Sequence, residues 1–525
     1  MNRVLSTIAV VCLMSTLVFA QDKKDEKKEE KPKGLILNTD KAYPGLNLFS
    51  PLDSGSTYLI DNKGRFIREW RSKFRPSSVY LQDNGNILRF STYGRDGNGT
   101  FRGGGSGYCV EEFNWDGELI WQYIYSTEDY LMHHDIERLP NGNVLLLAWE
   151  MKDKDAAVAA GRDAELMEAE EVWSEKIIEI KPVYPDGAEV VWEWHLWDHL
   201  IQDRDSSKDN FGDVAAHPER IDINPTGHWL DAVSDEELEE LEALGYLGGE
   251  EADDKKQRGT TGADWLHTNA IAYNADLDQI ALSVLGNCEI WILDHSTSTE
   301  EATGSTGGKS GKGGDILYRW GNPIAYRAGL EDDQKLFYQH DVHWVAKGLP
   351  GEGHLMIFNN GRSRPAGNFS TVLELIPPTD ADGNYILEAG ATYGPAEPIW
   401  KHEEDGVFFS SYISGARRLP NGNTIICQGA DGTLFEVTAD NEVVWKFVNP
   451  AVPKHPPLAK GEKLSKEERR SRKKYNNPVF RVYRYGFDHP AFKGRDIAAG
   501  PPLTKYVIDN PPVRPLELPE EMKKK

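Results

Sequence analysis

Met132-His133-His134-Asp135-Ile136-Glu137-Arg138-Leu139-Pro140-Asn141-Gly142-Asn143-Val144-Leu145-Leu146-Leu147 reads as two apolar strands joined by a tight turn. Asn-Gly between apolar runs is a strong short-range hairpin signal, because the turn needs residues that accept positive φ. The pattern returns from Ala416 to Cys427 around Pro420-Asn421-Gly422-Asn423, and from Val79 to Phe90 around Asp83-Asn84-Gly85-Asn86. Looser copies run from Ile271 to Leu282 and from Val342 to Phe358, and a weak first copy lies near Tyr43-Pro44-Gly45. A second hairpin follows each copy and ends on a tryptophan: Trp70, Trp121, Trp192, Trp320, Trp400 and Trp445. Two hairpins make a four-stranded antiparallel blade that cannot cover its own faces. Six such units predict an all-β, six-bladed β-propeller over about residues 35–450, in which stacked blades bury each other. Two β-sandwiches in tandem are the alternative.

The rest of the chain is set around that repeat. The 525 residues are 39% hydrophobic, enough for a large core. The formal net charge of -25 leaves no basic footprint, so no nucleic-acid partner is expected. Asn2-Arg3, an apolar run from Val4 to Phe19 and the small Ala20 read as a signal peptide over residues 1–20, with an uncleaved anchor as the alternative. This predicts a periplasmic or secreted protein with no membrane span after cleavage. Residues 21–34 form a charged leader with the composition of a disordered segment. A long insertion, about 198–262, carries helical spacing from Asp235 to Leu247, and residues 451–525 form a C-terminal extension. Within that extension, the aromatic-rich Phe480 to Phe492 is expected to pack back on the body. Gly304 to Gly314 reads as a mobile surface loop; its Gly-Gly-Lys-Ser lacks the spacing and the following helix of a phosphate loop. Cys109, Cys288 and Cys427 have no Cys-x-x-Cys spacing, which argues against a disulfide framework or a cysteine metal site and leaves one bridge open.

Aligning the repeats on their Asn-Gly turns puts His134, Ser414 and Ser77 at the start of the innermost strand of three blades. The looser copies put His267 and His340 there too. These positions ring one mouth of the central channel, a concave place where several blades converge. One histidine in a strand is ordinarily a hydrogen-bonded packing residue. Three at the same repeat position, two of them in His-Asp pairs (His134-Asp135 and His340-Asp341), point to a site. His133 and His343 are weaker candidates, because neighbours in a strand face opposite sides. His195 and His199 read as structural or site-flanking.

These residues resemble the bacterial arylsulfate sulfotransferases. The resemblance is carried by the His-Asp segment before Pro140-Asn141-Gly142-Asn143, by Asp264-Trp265-Leu266-His267-Thr268-Asn269 and by Gln339-His340-Asp341. It is extended by Ser414-Gly415-Ala416-Arg417-Arg418-Leu419 and by Trp445-Lys446-Phe447-Val448-Asn449-Pro450. It implies an exported six-bladed propeller, without cofactor or metal, that moves a sulfuryl group from an aryl sulfate to a phenol through a sulfated histidine. On that resemblance His340 is the nucleophile, and His267 and His134 hold the sulfate and assist the leaving phenol. Asn269, Asp341, Trp265 and Arg417 are expected substrate-binding residues, and Trp265, Tyr338 and Trp344 possible aromatic walls. Asp341, or another acceptor, would fix the tautomer of His340. The family's arginine after the Asp-Trp-Leu-His motif falls on Leu285, with Asn287, Arg362, Arg364 or Arg417 as candidate stand-ins. Two other readings stay open: a non-catalytic ligand-binding propeller, and a His-ligated metal hydrolase or lyase at the axis. The partners expected are small-molecule aryl sulfates and phenols, and a homodimer is compatible with the sequence.

Overall fold

The fourth strand of each sheet, counted from the axis, carries the repeat tryptophan, and each of these six indoles donates its N–H to the next sheet. Trp70 reaches the Asn114 carbonyl at 2.9 Å, Trp121 the Gly187 carbonyl at 2.9 Å and Trp192 the Thr297 hydroxyl at 3.2 Å. Trp320 reaches the Pro395 carbonyl at 2.9 Å, Trp400 the Ala439 carbonyl at 2.9 Å and Trp445 the Asn62 carbonyl at 2.8 Å. The last of these bonds returns to the first sheet, so the contacts close a ring. Five of the six indoles are buried, Trp400 being partly exposed. The repeat tryptophan therefore does two things at once. Its ring fills the gap between blades, and its single donor fixes the rotation of one blade on the next.

The computed structural model describes residues 32–516 apart from 94–97, 99, 102, 168, 225–262, 389, 405 and 453–477. Six main antiparallel sheets follow the chain as a six-bladed propeller. Blade II is built from Arg75–Leu81, Ile87–Thr92, Cys109–Phe113 and Leu119–Ile124, from the axis outward. The inner strands of blades III to VI are Tyr130–Arg138, Thr268–Asn274, His340–Trp344 and Gly415–Arg418. Apolar clusters lie along and between the sheets; Trp291 with Leu282 and Ile271, and Trp445 with Phe49 and Tyr58, are examples.

Blade I departs from the sequence expectation. Its inner strand is Val479–Gly486, which pairs antiparallel with Gly45–Pro51. The propeller therefore does not stop at Pro450: part of the expected extension completes the first blade. The weak copy near Tyr43-Pro44-Gly45 is weak because blade I has no inner hairpin of its own. The ring is closed a second time by Gly34–Asn38, which adds a fifth strand outside Val443–Val448 in blade VI.

Other expectations change too. The glycine loop from 304 to 314 is tied down. The Ser310 N–H donates to Asp294 at 2.8 Å, the Gly314 N–H to the Gly304 carbonyl at 3.0 Å, and Lys309 Nζ to Asp278 at 3.1 Å. Cys109, Cys288 and Cys427 are buried and all three are free thiols, so no bridge forms among them. Burial pushes the Cys109 and Cys427 thiols well up and Cys288 to about 11. The expected signal peptide, most of the leader and the Asp235 to Leu247 helix lie outside the described residues. No helix among the described residues is long and apolar enough to cross a membrane.

Candidate active site

The inner strands share an irregularity at one height. Pairing with the second strand slips between Pro76 and Val79, opposite Met132 to Ile136, between Thr268 and Ala270, and between His340 and His343. A bulge bends the strand and re-aims side chains. Three of these bulges lie at or beside residues in the left-handed region, His134 at φ 56°, His267 at 49° and Asp341 at 61°, and Ile413, at 47°, takes the same conformation just before the blade VI inner strand. That conformation costs on the order of 1 kcal/mol or more per non-glycine residue, and is worst for the β-branched Ile413. Such strain gathers where backbone geometry serves a site.

The bulges bring the three histidines together. The His134 and His267 rings lie 4.4 Å apart at 75°. His340 is within electrostatic reach of both. All three are buried. Each has a different partner on Nδ1, so each is held in a defined state.

His340 Nδ1 lies 2.7 Å from the Asn360 side-chain oxygen. The Asn360 amide nitrogen donates to the Ser410 and Ile413 carbonyls at 2.8 and 3.0 Å, which turns its oxygen toward the ring. The proton therefore sits on Nδ1, and Nε2 carries the lone pair. The Ile413 N–H lies 3.2 Å from that Nε2. Burial, with further opposition from His267 and Arg481, pushes the His340 imidazole down to about 3, although Asn360 works the other way. The ring is neutral at physiological pH. Asp341, the expected tautomer acceptor, does not reach it.

His267 Nδ1 is hydrogen-bonded to the Asp264 carboxylate, with both groups buried. His134 Nδ1 lies 2.9 Å from His133 Nδ1, and His133 Nε2 lies 2.9 Å from Glu175. His133 also stacks on Trp149 at 4.2 Å. Glu175, His133 and His134 thus form a relay that ends at His134 Nε2, a buried atom with no hydrogen-bond partner among the described residues. Burial, then His267 and His133, hold the His134 imidazole well below its usual range. The Ser77 hydroxyl donates to the His134 carbonyl at 3.0 Å, which gives the aligned serine a positioning role. Gly105 packs flat on the His134 ring; a Cβ there would lie 2.1 Å from Nε2.

Below the histidines the channel is filled by ion pairs. Arg481, from the C-terminal strand, donates to Asp135 at 2.6 Å and to the Tyr80 hydroxyl at 3.0 Å, and its Nε lies 2.8 Å from Asp341. Arg417 grips the same Asp341 through two nitrogens, one at 2.7 Å, and lies over the Tyr483 ring. His343 sits deeper, 2.8 Å from Arg417. The two aspartates of the His-Asp pairs therefore hold arginines and close the channel. Neither touches an imidazole of the trio.

The remaining sequence candidates divide. Asn269 is buried beside the site, its amide donating to the Gln339 carbonyl at 2.8 Å, so it locks the His340 strand to the next blade. Trp265 and Trp344 are core residues rather than site walls: Trp265 packs with Leu266 and Trp291, Trp344 with Val342 and Leu355. Tyr338 lies in the same core, under Arg362 at 4.2 Å. Arg364 lies over Phe369 and Phe337. Leu285 is buried among Cys288, Tyr338 and Trp320, and the Asn287 amide lies 3.5 Å from Glu289. Among the described residues Arg481, which no repeat alignment could supply, is an arginine within electrostatic reach of both His134 and His340. His199 is structural, held by Asp315 and the Ala302 carbonyl at 2.9 Å each, and His195 pairs with Glu150 at 3.2 Å.

A family model described as Arylsulfotransferase (ASST) matches residues 22–462. The chain belongs to the arylsulfotransferase family. Aryl sulfotransfer is the general activity that membership in this family supports. No curated protein matches the arylsulfotransferase chain. Among solved structures it is similar to the periplasmic gluconolactonase PpgL of Pseudomonas aeruginosa, with 12% identity, a TM-score of 0.37, and 77% of this chain and 97% of that one covered. It is also similar to the Cps50 (Swd1) β-propeller domain of Myceliophteria thermophila, with 10% identity, a TM-score of 0.36, and 79% and 89% covered. Likenesses this distant have no bearing on the chemistry.

Proposed function

We propose that this arylsulfotransferase works by a covalent sulfohistidine on His340, taking the sulfuryl group from an aryl sulfate and giving it to a phenol. The observation that carries the reading is the state of His340. A clamped Nδ1–H leaves a neutral, buried Nε2 lone pair beside two further histidines. A neutral imidazole is a nucleophile that can also leave again.

In the first half-reaction Nε2 of His340 forms the N–S bond. The S–O ester bond breaks, and its electron pair leaves on the phenolate oxygen. His134 Nε2 protonates that oxygen, the proton on His133 Nδ1 passes to His134 Nδ1, and His133 keeps its Nε2 proton, donated to the Glu175 carboxylate, so that it is left as a neutral imidazole. In the second half the acceptor phenol returns its proton along the same path and attacks sulfur. The N–S pair goes back to His340, and no net proton is consumed. Sulfated His340 still carries Nδ1–H, so its ring is cationic, and the Asn360 oxygen stabilises that charge. Once the lone pair is spent, the Ile413 N–H is free to donate to a sulfuryl oxygen. Donors aimed at developing charge in a dry site contribute about 3 kcal/mol each in comparable cases. His267, braced by Asp264, faces the same space and takes the other oxygens. Residues 1–20 are proposed to direct export, which places the reaction in the periplasm or outside the cell.

Purified mature protein with p-nitrophenyl sulfate and phenol is expected to release nitrophenol. H340A is expected to fold and to lose at least about a thousandfold in rate. Unchanged turnover in H340A would remove His340 from the mechanism.

A further inference from the structure

One cavity opens on His134. It has a volume of about 100 Å³ and is walled by Leu52, Pro76, Tyr412 and Phe480, from three different blades or their connections. Its described lining is mostly apolar, with Ser77, Thr92 and Ser106 among the polar residues. At the inner end is His134, whose Nε2 is buried and unpartnered among the described residues. Arg75, the first residue of the blade II inner strand, also lines the cavity.

Arg75 differs from the other arginines near the axis. Arg481 and Arg417 are committed to carboxylates. Arg75 donates no hydrogen bond among the described residues. Its Nε is buried without a partner, its side chain is 31% exposed, and the nearest carboxylate, Asp53, stands off at 3.6 Å. A guanidinium offers five donors in a planar fork, shaped for an oxyanion held by two parallel bonds. Half-burying such a group with its Nε unpartnered and only a long ion pair to Asp53 has a cost, and binding an anion reduces that cost. Asp53 is itself 34% exposed, free to turn to solvent when an anion arrives.

We propose that this cavity selects phenols that carry a carboxylate, with the reacting oxygen at His134 and the carboxylate on Arg75. The inference rests on the sulfotransfer reading for the role of His134. It adds the substrate class: hydroxyaryl carboxylates as acceptors and their sulfate esters as donors, since both occupy one cavity in a ping-pong cycle.

The test is calorimetric titration of the mature full chain with 4-hydroxyphenylacetate and with p-cresol, joined to turnover of both as acceptors from p-nitrophenyl sulfate. The expected result is at least about tenfold tighter binding and higher kcat/KM for the carboxylate. R75Q should erase the preference and D53N should widen it. D53N keeps the cavity intact, so it also serves if R75Q fails to fold. Equal binding of the two phenols, or a preference that survives in R75Q, would overturn the assignment. A carboxylate preference in binding with no transfer of either phenol would keep the cavity assignment and remove the sulfotransfer reading instead.

Discussion

Asn360 decides which nitrogen of His340 can react. Its own amide is saturated by the Ser410 and Ile413 carbonyls, so its oxygen has one orientation and can only accept. N360L keeps the volume and removes that acceptor. Groups that orient a functional histidine are typically worth 10- to 100-fold, so kcat/KM for aryl sulfate is expected to fall by about that factor with the melting temperature little changed. Steady-state kinetics beside a thermal melt would check this; full activity in N360L would show that the tautomer does not matter. The relay makes a parallel demand. E175Q should slow donors with poor leaving groups more than p-nitrophenyl sulfate, because only the former need the proton. A uniform loss across leaving groups would place Glu175 in the fold instead. Sequence made His134, His267 and His340 legible because they share a repeat position, and repetition is visible without coordinates. Asn360 and Glu175 are unmarked in the sequence, and Asp264 is visible there only as the first residue of the Asp-Trp-Leu-His motif, without a role. They come from a second strand's end, a third strand and an approach loop, where nothing in the spacing marks them.

At the scale of elements, the C-terminal strand matters most. Val479–Gly486 supplies the inner edge of blade I and carries Arg481 into the axis between Asp135 and Asp341. R481M is expected to cost about 3–5 kcal/mol, because it leaves two buried carboxylates short of their counter-charge. Chemical denaturation measures it, and a loss under 1 kcal/mol would contradict the axis network as drawn. The double change R481M/D135N should recover much of that stability, since Asp341 keeps Arg417 as its counter-charge and no buried carboxylate is then left without one. The indole ring of contacts makes a smaller claim: W445F keeps most of the apolar area but loses the bond to the Asn62 carbonyl, for about 1 kcal/mol. The blade hairpins were legible because turns and tryptophans recur. The closure was not, because the strand that completes blade I is separated from its partner by most of the chain and no pattern of period two says which sheet a strand will join.

For the molecule as a whole, the buried neutral histidines set the acid limit. His134, His340 and His343 all have their imidazoles pushed down, with burial as the main cause, His340 to about 3. In the unfolded chain these rings bind protons near 6.5. Between those limits the unfolded state binds more protons than the folded one, so stability is complete above about pH 6.5 and declines as pH falls. The melting temperature is expected to drop steadily from pH 7 to pH 4. H343N should flatten that slope by up to about 1.4 kcal/mol per pH unit, the value of one proton. An unchanged slope would mean that His343 is not neutral in the folded state.

The central claim is that His340 becomes covalently sulfated. Intact-mass spectrometry of the mature protein, mixed with p-nitrophenyl sulfate under mildly alkaline conditions and without acceptor, tests it most directly. The account predicts a gain of about 80 Da that disappears when a phenol is added and never forms in H340A. Nitrophenol release with no mass gain at any time, or a gain that persists in H340A, would contradict it.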